Sequence, residues 1–243
     1  MSELHKNPRV VSLEGNIGAG KSTFLKLVER ALLVQAIFEP HAKWQQVGGT
    51  ENLLERFYAD GQRWAYTFQT YAFVTRVMEQ EAHARKSRYP VQVLERSVFS
   101  DRYCFAKNAF EQGLMNALEW KLYQEWFSWL VDGYVAQPAG FIYLRTTPEV
   151  CYERLKKRNR SEERNVSLDY LRTIHEKHEQ WLIERLDISA IEQNVPLLVL
   201  SVDKDFEHDR QEQLRLMKSI AEFFGIDFRN IDRAEFAQET ASL

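Results

Sequence analysis

The stretch "LEGNIGAGKST", residues 13–23, decides the fold. Its spacing Gly15-x-x-x-x-Gly20-Lys21-Ser22 is that of a phosphate-binding loop, and it follows an apolar run and precedes a helical stretch, residues 23–30. A glycine-rich turn that only caps a helix is the alternative, but it does not need the lysine and the serine. Backbone N–H groups of such a loop surround a phosphate, Lys21 reaches a terminal phosphate, and Ser22 can ligate Mg²⁺. The predicted ATP-binding residues here are Gly15, Asn16, Ile17, Gly18, Ala19, Gly20, Lys21, Ser22 and Thr23.

Short apolar runs alternate with long helical stretches along the chain. The runs cover residues 9–13, 36–38, 91–94, 141–144 and 196–202. This alternation predicts an α/β fold with a parallel sheet. Ligands of such sheets bind beyond the carboxyl ends of the strands, where this chain places Glu39, Glu95, Arg96, Arg145 and Asp203.

Composition excludes several classes of function. The 243 residues carry a net charge of −3, which predicts neither nucleic acid nor a membrane as a partner. Two cysteines are too few for a disulfide framework, and the N-terminus lacks a signal-peptide pattern, so a cytoplasmic protein is expected unless a targeting segment was removed. We expect one domain, residues 1–243, with flexible ends at 1–8 and 234–243.

Residues 61–86 and 115–135 each read as a long helix. The second of these helices carries two apolar stripes. One consists of Leu118, Leu122, Trp126 and Trp129, and the other of Trp120, Tyr123, Phe127, Leu130 and Tyr134. Either a fully buried core helix or a helix shared with a partner subunit in a homodimer explains this pattern.

A dense cationic segment follows the fourth apolar run. A helix is predicted to begin at Thr147-Pro148-Glu149 and to lead into Lys156, Lys157, Arg158, Arg160 and Arg164, beside Glu162 and Glu163. A solvated charged turn is one interpretation. In a chain that binds a nucleoside triphosphate, a mobile lid that stabilises the transferring phosphoryl group is the other.

The segment 55–73, with the residues directly after it, indicates which kind of molecule accepts the phosphoryl group. Gln69, Ala72 and Arg76 recur at helical spacing among many aromatic residues. An amide can read the edge of a nucleobase, and aromatic rings can sandwich it. These features favour a nucleoside as acceptor, with Glu39 and Glu95 as candidates for the base and the metal ligand.

Several separate motifs, in the same order, resemble the deoxynucleoside kinases. They are Glu14 to Thr23, Glu39-Pro40-x-x-x-Trp44, Arg63-Trp64-x-x-Thr67-Phe68-Gln69-Thr70-Tyr71, Glu95-Arg96-Ser97-x-x-Ser100-Asp101-Arg102-Tyr103, and the segment 158–163. The resemblance runs from about residue 10 to residue 206. It implies a P-loop kinase fold with a five-stranded parallel sheet flanked by helices, an arginine-rich lid, and usually a homodimer.

The resemblance also implies roles at the reacting groups. Glu39 is expected to be the base for the 5′-hydroxyl, and Arg96 to bind that oxygen. Ser22 and Glu95 are expected to hold the Mg²⁺ that accompanies ATP, or another nucleoside triphosphate. Lys21, Arg158 and Arg160 would bind phosphates.

The remaining implied roles concern recognition of the two nucleosides. Tyr58 and Glu163 would bind the 3′-hydroxyl, Gln69 and Asp101 the base, and Trp44, Phe68 and Phe105 would pack around it. Asp205 and Phe206 match the segment that packs near the donor base.

Arg76 and Asp101 bear on the choice of base, because thymidine-accepting members of the family lack this charged pair. The pair predicts deoxyadenosine, deoxyguanosine or deoxycytidine over thymidine. Ala72 resembles the deoxycytidine-type pocket, whereas "NLLERFY" and "PVQVLERSVFSDRY" resemble the deoxyguanosine type. The base therefore stays open among the three.

Two rival functions share the loop. A nucleoside monophosphate kinase would need basic residues for the acceptor's phosphate, and the segment 39–44 offers only Lys43. A nucleotide-gated switch protein has no acceptor substrate, so it would give Glu39, Arg96 and the polar helix face no role. Phosphorylation of a deoxynucleoside in nucleotide salvage is the preferred hypothesis.

Overall fold

The central strand β1 (Arg9–Glu14) leads straight into the phosphate-binding loop. In a computed structural model that describes residues 8–84, 86–164 and 166–229, β1 pairs in parallel with β3 (Val91–Glu95) and β4 (Pro138–Arg145). The outer strands are β2 (Gln35–Ile37), beside β3, and β5 (Leu197–Ser201), beside β4. Within the described residues this gives one five-stranded parallel sheet in the order β2-β3-β1-β4-β5. The predicted α/β fold and all five predicted strands are confirmed.

Helices fill the connections between the strands. Helix α1 (Lys21–Ala31) connects β1 to β2. Between β2 and β3 lie α2 (His41–Gln45), α3 (Leu53–Ala59) and α4 (Gly61–Ala84). Between β3 and β4 lie α5 (Val98–Ser100), a π-helical turn (Asp101–Ala106), α6 (Lys107–Glu111) and α7 (Ala117–Tyr134). After β4 come α8 (Pro148–Arg158), a 3₁₀ turn (Ser161–Glu163), α9 (Leu168–His178), a second π-helical turn (Glu179–Ile183) and α10 (Ala190–Gln193), and α11 (Arg210–Phe224) follows β5.

The sheet divides the core in two because successive side chains of a strand point to opposite faces. On β4, Ile142 and Leu144 pack with residues of α1 and α11. Phe141 and Tyr143 pack instead with the aromatic side chains of α4 and α7, among them Phe73 and Phe127. Both faces are covered by helices, as a parallel sheet requires.

Helix α7 buries one of its two predicted stripes. Tyr123, Phe127 and Leu130 are buried, whereas the stripe Leu118, Leu122, Trp126 and Trp129 is exposed. Tyr134, predicted in the same stripe as these buried residues, is exposed; it is the last residue of the helix, and its ring contacts Trp129. A fully buried core helix is therefore the wrong interpretation of α7.

The described part of the chain contains no helix that is long and apolar enough to cross a membrane. Of the predicted flexible ends, Pro8 is described, while residues 1–7 and 234–243 lie outside the described residues. The extent of the single domain stays a prediction.

Candidate active site

The phosphate-binding loop depends on glycine at two positions. Gly18 has φ +80°, and a Cβ there would lie 2.3 Å from the carbonyl oxygen of Cys151 in α8. Gly20, with φ +92°, precedes α1, and a Cβ there would lie 2.8 Å from the ring of Phe206. At either position a side chain would combine a strained left-handed backbone with a steric clash, so both positions favour glycine. These close approaches bring the loop against both α8 and the chain after β5.

Lys21 is buried beneath this loop. Its Nζ donates hydrogen bonds to the carbonyl oxygens of Gly15, at 3.1 Å, and Asn16, at 2.7 Å. Burial and the nearby Arg96 lower the pKa of Lys21 to about 7. A phosphate oxygen near Nζ would favour the charged ammonium again, since an opposite charge stabilises it.

Three predicted loop residues support the loop rather than line a cavity. Asn16 donates from Nδ2 to the carbonyl of Leu171 at 2.8 Å and accepts the backbone N–H of Ile17 at 2.8 Å. Ala19 is fully buried and Gly15 turns the chain after β1. The other loop residues line the cavities described next: Ile17, Gly18, Gly20, Lys21, Ser22 and Thr23.

A cavity of about 260 Å³ opens beyond the carboxyl ends of β1 and β3. It collects every acceptor residue predicted from the sequence: Glu39, Trp44, Tyr58, Phe68, Gln69, Arg76, Arg96, Asp101, Phe105 and Glu163. Phe68 stacks on Phe57 with ring centroids 4.8 Å apart, and Trp44 Nε1 donates to Thr75 at 2.9 Å. Flat aromatic walls with buried amide and charged groups suit a nucleobase.

Arg76 organises the polar side of this acceptor cavity. Its guanidinium donates from Nε and NH2 to both carboxylate oxygens of Asp101, at 2.8 and 3.1 Å, and from NH2 to Oε1 of Glu39 at 2.6 Å. NH1 donates to the backbone carbonyl of Glu95 at 3.1 Å. All three carboxylate and guanidinium groups are buried. One arginine thus links the predicted base-reading residue Asp101 to the predicted catalytic base.

Glu39 is held as a carboxylate. Burial alone would raise its pKa, but Arg76, His41 and Arg96 outweigh burial and hold the pKa well below its usual value. Arg96 Nε lies 3.5 Å from Oε1 of Glu39. Arg96 has φ +64°, a left-handed conformation that costs a non-glycine residue of order 1 kcal/mol, and its backbone N–H donates to Leu13 at 2.9 Å. The backbone strain therefore lies at the residue whose guanidinium is beside Glu39.

The side chains of Ser22 and Glu95 are hydrogen-bonded to each other at the end of the phosphate-binding loop. Ser22 Oγ donates to Oε1 of Glu95 at 2.6 Å, and Oε2 of Glu95 accepts the backbone N–H of Glu39 at 3.4 Å. Two protein oxygens at the end of a phosphate loop fit Mg²⁺, which binds few protein ligands and completes its shell with phosphates and water. Within the described ranges, no group of three or more acidic, histidine or cysteine side chains that could hold a metal occurs.

The lid contributes arginines to the acceptor cavity. Arg158, at the end of α8, donates from NH2 to both oxygens of Glu163, at 2.5 and 2.6 Å. Arg160 NH1 lies 3.8 Å from the same carboxylate. Lys156 instead stacks on Tyr152 and, like Arg164, lines neither of the two cavities at the loop.

A second cavity, which we call the donor-side cavity, has a volume of about 510 Å³ and lies on the other side of the loop. Its walls include Gly18, Gly20, Thr23, Arg154, Lys157, Arg158, Asp203, Asp205, Phe206 and Glu207. Arg154 fixes this wall, because its guanidinium donates to the carbonyls of Ala19 and Val202, at 3.2 and 2.8 Å, and lies over the ring of Phe206. Gly18, Gly20, Thr23 and Arg158 line both cavities.

Some residues of the site were not predicted from the sequence, and one residue that was singled out lies outside the site. His41 lies 3.1 Å from Glu39, Tyr170 lines the acceptor cavity, and Arg154 lines the donor-side cavity. The position of His41, two residues after Glu39, was a signal that the motif spacing did not use. Arg145 does end β4, but its guanidinium pairs with Glu179 at 2.7 Å and lines neither cavity.

Comparison with known proteins agrees with this geometry. Residues 11–225 match the family model described as deoxynucleoside kinase. The chain is 44% identical to deoxycytidine kinase 2 of Gallus gallus, over 91% of this chain and 92% of that protein. It is 40% identical to mitochondrial deoxyguanosine kinase of Xenopus laevis, over 82% and 83% of the two chains, and 38% identical to deoxycytidine kinase of Homo sapiens, over 88% and 90%.

The family match covers the loop, both cavities and the lid. It agrees with the P-loop kinase fold. The chain belongs to the deoxynucleoside kinase family and is an ATP-dependent kinase of deoxynucleosides.

Proposed function

We propose that the protein transfers the γ-phosphoryl group of ATP to the 5′-hydroxyl of deoxyadenosine, deoxyguanosine or deoxycytidine, with thymidine disfavoured, as a step of nucleotide salvage. The observation that carries this proposal is the junction of the two cavities. The phosphate loop and Arg158 line both the acceptor cavity and the donor-side cavity. A phosphoryl group transferred between substrates in the two cavities would therefore not pass through bulk solvent.

Each reacting atom has a protein group in reach of this junction. Glu39 takes the proton of the 5′-hydroxyl while that oxygen bonds to the γ-phosphorus. The bond between the γ-phosphorus and the β–γ bridging oxygen breaks, and its electron pair leaves with ADP. Arg96 lies beside Glu39, so it can bind the oxygen that loses its proton. Lys21 and Arg158 stabilise the charge that spreads over the phosphoryl oxygens.

Mg²⁺ completes the proposed donor site. Ser22 Oγ and Oε1 of Glu95, 2.6 Å apart, would hold the ion together with oxygens of ATP. A bound magnesium ion neutralises charge on the β- and γ-phosphates. Asp205 and Phe206, in the wall of the donor-side cavity, would contact the donor base.

The buried Arg76–Asp101 pair supports the choice of base. A carboxylate accepts hydrogen bonds from an exocyclic amino group, and guanidinium N–H groups donate to ring nitrogens or carbonyls. Gln69 is buried beside the pair and supplies both a donor and an acceptor. Thymine has no amino group and carries a methyl group that the charged pair would crowd. The names of the relatives support cytosine and guanine as the first bases to compare.

The exposed face of α7 supports a homodimer. Leu118, Trp126 and Trp129 are 66%, 48% and 56% exposed, and Met78 of α4 is 58% exposed. Clustered large apolar side chains on a surface are typical of protein interfaces. A second copy of the chain that presents the same α4 and α7 face would cover them by symmetry.

The test is ADP release by the purified protein with Mg-ATP and, in parallel, each of the four deoxynucleosides and their monophosphates. We expect rapid turnover with deoxyadenosine, deoxyguanosine or deoxycytidine and little with thymidine. Turnover with the monophosphates alone would show that the acceptor half of the proposal is wrong. The variant Glu39→Gln keeps the shape of the base but cannot take the proton, so its kcat should fall by about 100-fold or more while deoxynucleoside binding persists.

A further inference from the structure

His41 contacts the oxygen of Glu39 that the arginines do not hold. Arg76 and Arg96 both approach Oε1 of Glu39, at 2.6 and 3.5 Å. Oε2 instead lies 3.1 Å from Nε2 of His41. The imidazole is itself held, because His41 is the first residue of α2 and its ring packs edge-to-face on Trp44, 5.1 Å between centroids. A titratable ring is therefore fixed against the proposed base.

The burial of one ring nitrogen decides where the neutral ring carries its proton. Nδ1 of His41 is buried and has no hydrogen-bond partner among the described residues. A proton on Nδ1 would leave a buried donor unsatisfied, which costs about 1–3 kcal/mol. The neutral ring is therefore expected to carry its proton on Nε2, where it faces a carboxylate oxygen. In this form His41 orients Glu39 without adding charge.

We propose that His41 is a positioning residue for the catalytic base: the neutral ring holds Oε2 of Glu39 in place, and the charged ring makes Glu39 a weaker base, so that turnover falls in acid. The inference rests on the proposed function, in which Glu39 accepts the proton of the 5′-hydroxyl. Histidine is the side chain whose charge ordinarily changes between about pH 5 and 8. An imidazolium would be a third cation beside Glu39, after Arg76 and Arg96, and each cation lowers the affinity of a carboxylate for a proton.

The groups that face Glu39 and His41 come from every neighbouring element. They are Lys21 of α1, Tyr58 of α3, Arg76 of α4, Glu95 at the end of β3, Arg96 directly after β3, and Asp101 of the π-helical turn. Glu39 also lies close enough to Lys21 to influence its charge. A pH profile of the wild type alone therefore mixes several titrations. Comparison of the wild type with a variant that replaces only the imidazole isolates the contribution of His41.

Two substitutions separate the hydrogen bond from the charge. His41→Gln places an amide donor near the position of Nε2 but does not titrate, and His41→Val removes both donor and charge. At pH 7.5 we expect kcat of His41→Val to fall about tenfold with the deoxynucleoside KM nearly unchanged, and His41→Gln to restore most of the loss. Below pH 7 we expect the wild-type kcat to fall further than that of His41→Gln. In the variant the fall of kcat with decreasing pH should begin at a lower pH than in the wild type.

The matched control is His83→Gln, at the end of α4, where the ring is 39% exposed, contacts Glu79 and lines neither cavity. Its kcat and pH profile should equal those of the wild type. A normal kcat for His41→Val, or a raised KM with an unchanged pH profile for His41→Gln, overturns the inference. Glu39→Gln, measured in parallel, separates the two failures. If Glu39→Gln is inactive, the proposed base stands and only the role of His41 falls, whereas an active Glu39→Gln overturns both.

Discussion

Arg76 binds Asp101 through two buried hydrogen bonds, from Nε to Oδ2 at 2.8 Å and from NH2 to Oδ1 at 3.1 Å. The same guanidinium reaches Glu39 at 2.6 Å. In the proposed function, one side chain therefore contacts both the base-reading residue and the catalytic base. Changes to the base pocket are expected to alter the rate of phosphoryl transfer as well as the preference among bases.

Replacement of the charged pair should admit thymidine. In Arg76→Met/Asp101→Ala the crowding and the mismatched donors are gone, so kcat/KM for thymidine should rise at least about tenfold over the wild type. The kcat with deoxycytidine should fall, because Glu39 loses the guanidinium that holds its Oε1 in position. Steady-state kinetics with all four deoxynucleosides measures both effects. Continued rejection of thymidine by the folded double variant would place the discrimination elsewhere in the cavity.

The single variants provide the control for that experiment. Arg76→Met leaves the carboxylate of Asp101 buried without its cation, and removal of one partner of a buried pair costs about 3–5 kcal/mol. The double variant removes both charges and should be more stable than Arg76→Met. Urea denaturation of the two single variants and the double variant tests this coupling.

Glu14 should make the protein less stable as the pH rises. Burial raises the pKa of this carboxyl to about 7, although Ser97 and Arg96 oppose the shift. Because the folded state binds the proton more tightly than the unfolded state, the stabilisation is fully present below pH 4.5 and is lost as the pH rises through about 7. The full shift corresponds to roughly 3 kcal/mol.

Glu14→Gln removes this titration. The variant should gain stability over the wild type at pH 8 and little or none at pH 5, as measured by urea midpoints at both values. Glu153→Gln, at an exposed glutamate on α8, is the control and should show no such difference. Lys21 also has a shifted pKa, so the comparison has to be between variant and wild type at each pH. Equal differences at pH 5 and pH 8 would contradict the prediction.

Arg158 should matter for the chemical step. It lines both cavities, and its partner Glu163 is a proposed ligand of the 3′-hydroxyl. Arg158→Ala should lower kcat about 100-fold, because a preorganised donor to the phosphoryl oxygens is lost, and should also raise the deoxynucleoside KM, because Glu163 is freed. Lys156→Ala is the matched control, since this lid residue lines neither cavity. Equal kinetics for the two variants would remove Arg158 from the mechanism.

The fold was predictable because its signals are local. Each strand is a short apolar run, and the spacing of Gly15, Gly20, Lys21 and Ser22 specifies a loop whose backbone conformation few other sequences adopt. The rule that ligands bind at the carboxyl ends of parallel strands singled out Glu39 and Glu95, and both line the acceptor cavity. It failed for Arg145, which turns to Glu179 of the π-helical turn after α9.

The remaining site residues depend on contacts between distant segments. Arg154 acts through carbonyls of the phosphate loop and of the chain after β5, which no local pattern joins. The contact of His41 with Glu39 depends on where α2 begins and on the rotamers of both side chains. The exposure of Tyr134 likewise follows from the point at which α7 ends. Helical periodicity predicts which residues share a face, but the neighbours decide which face is buried.

The exposed stripe of α7 should hold two copies of the chain together. Trp126 and Trp129 lie on this stripe, with ring centroids 6.2 Å apart, and both are about half exposed. Trp126→Glu places a charge in the proposed interface, where its desolvation is unfavourable, and should convert a dimer to a monomer. Size-exclusion chromatography with light scattering at micromolar concentration measures the mass. Phe223→Glu, at a 46% exposed aromatic residue of α11, is the matched control and should leave the mass unchanged. A wild-type mass equal to that of one 28.7 kDa chain, or a dimer that survives Trp126→Glu, would show that this face is not the dimer interface.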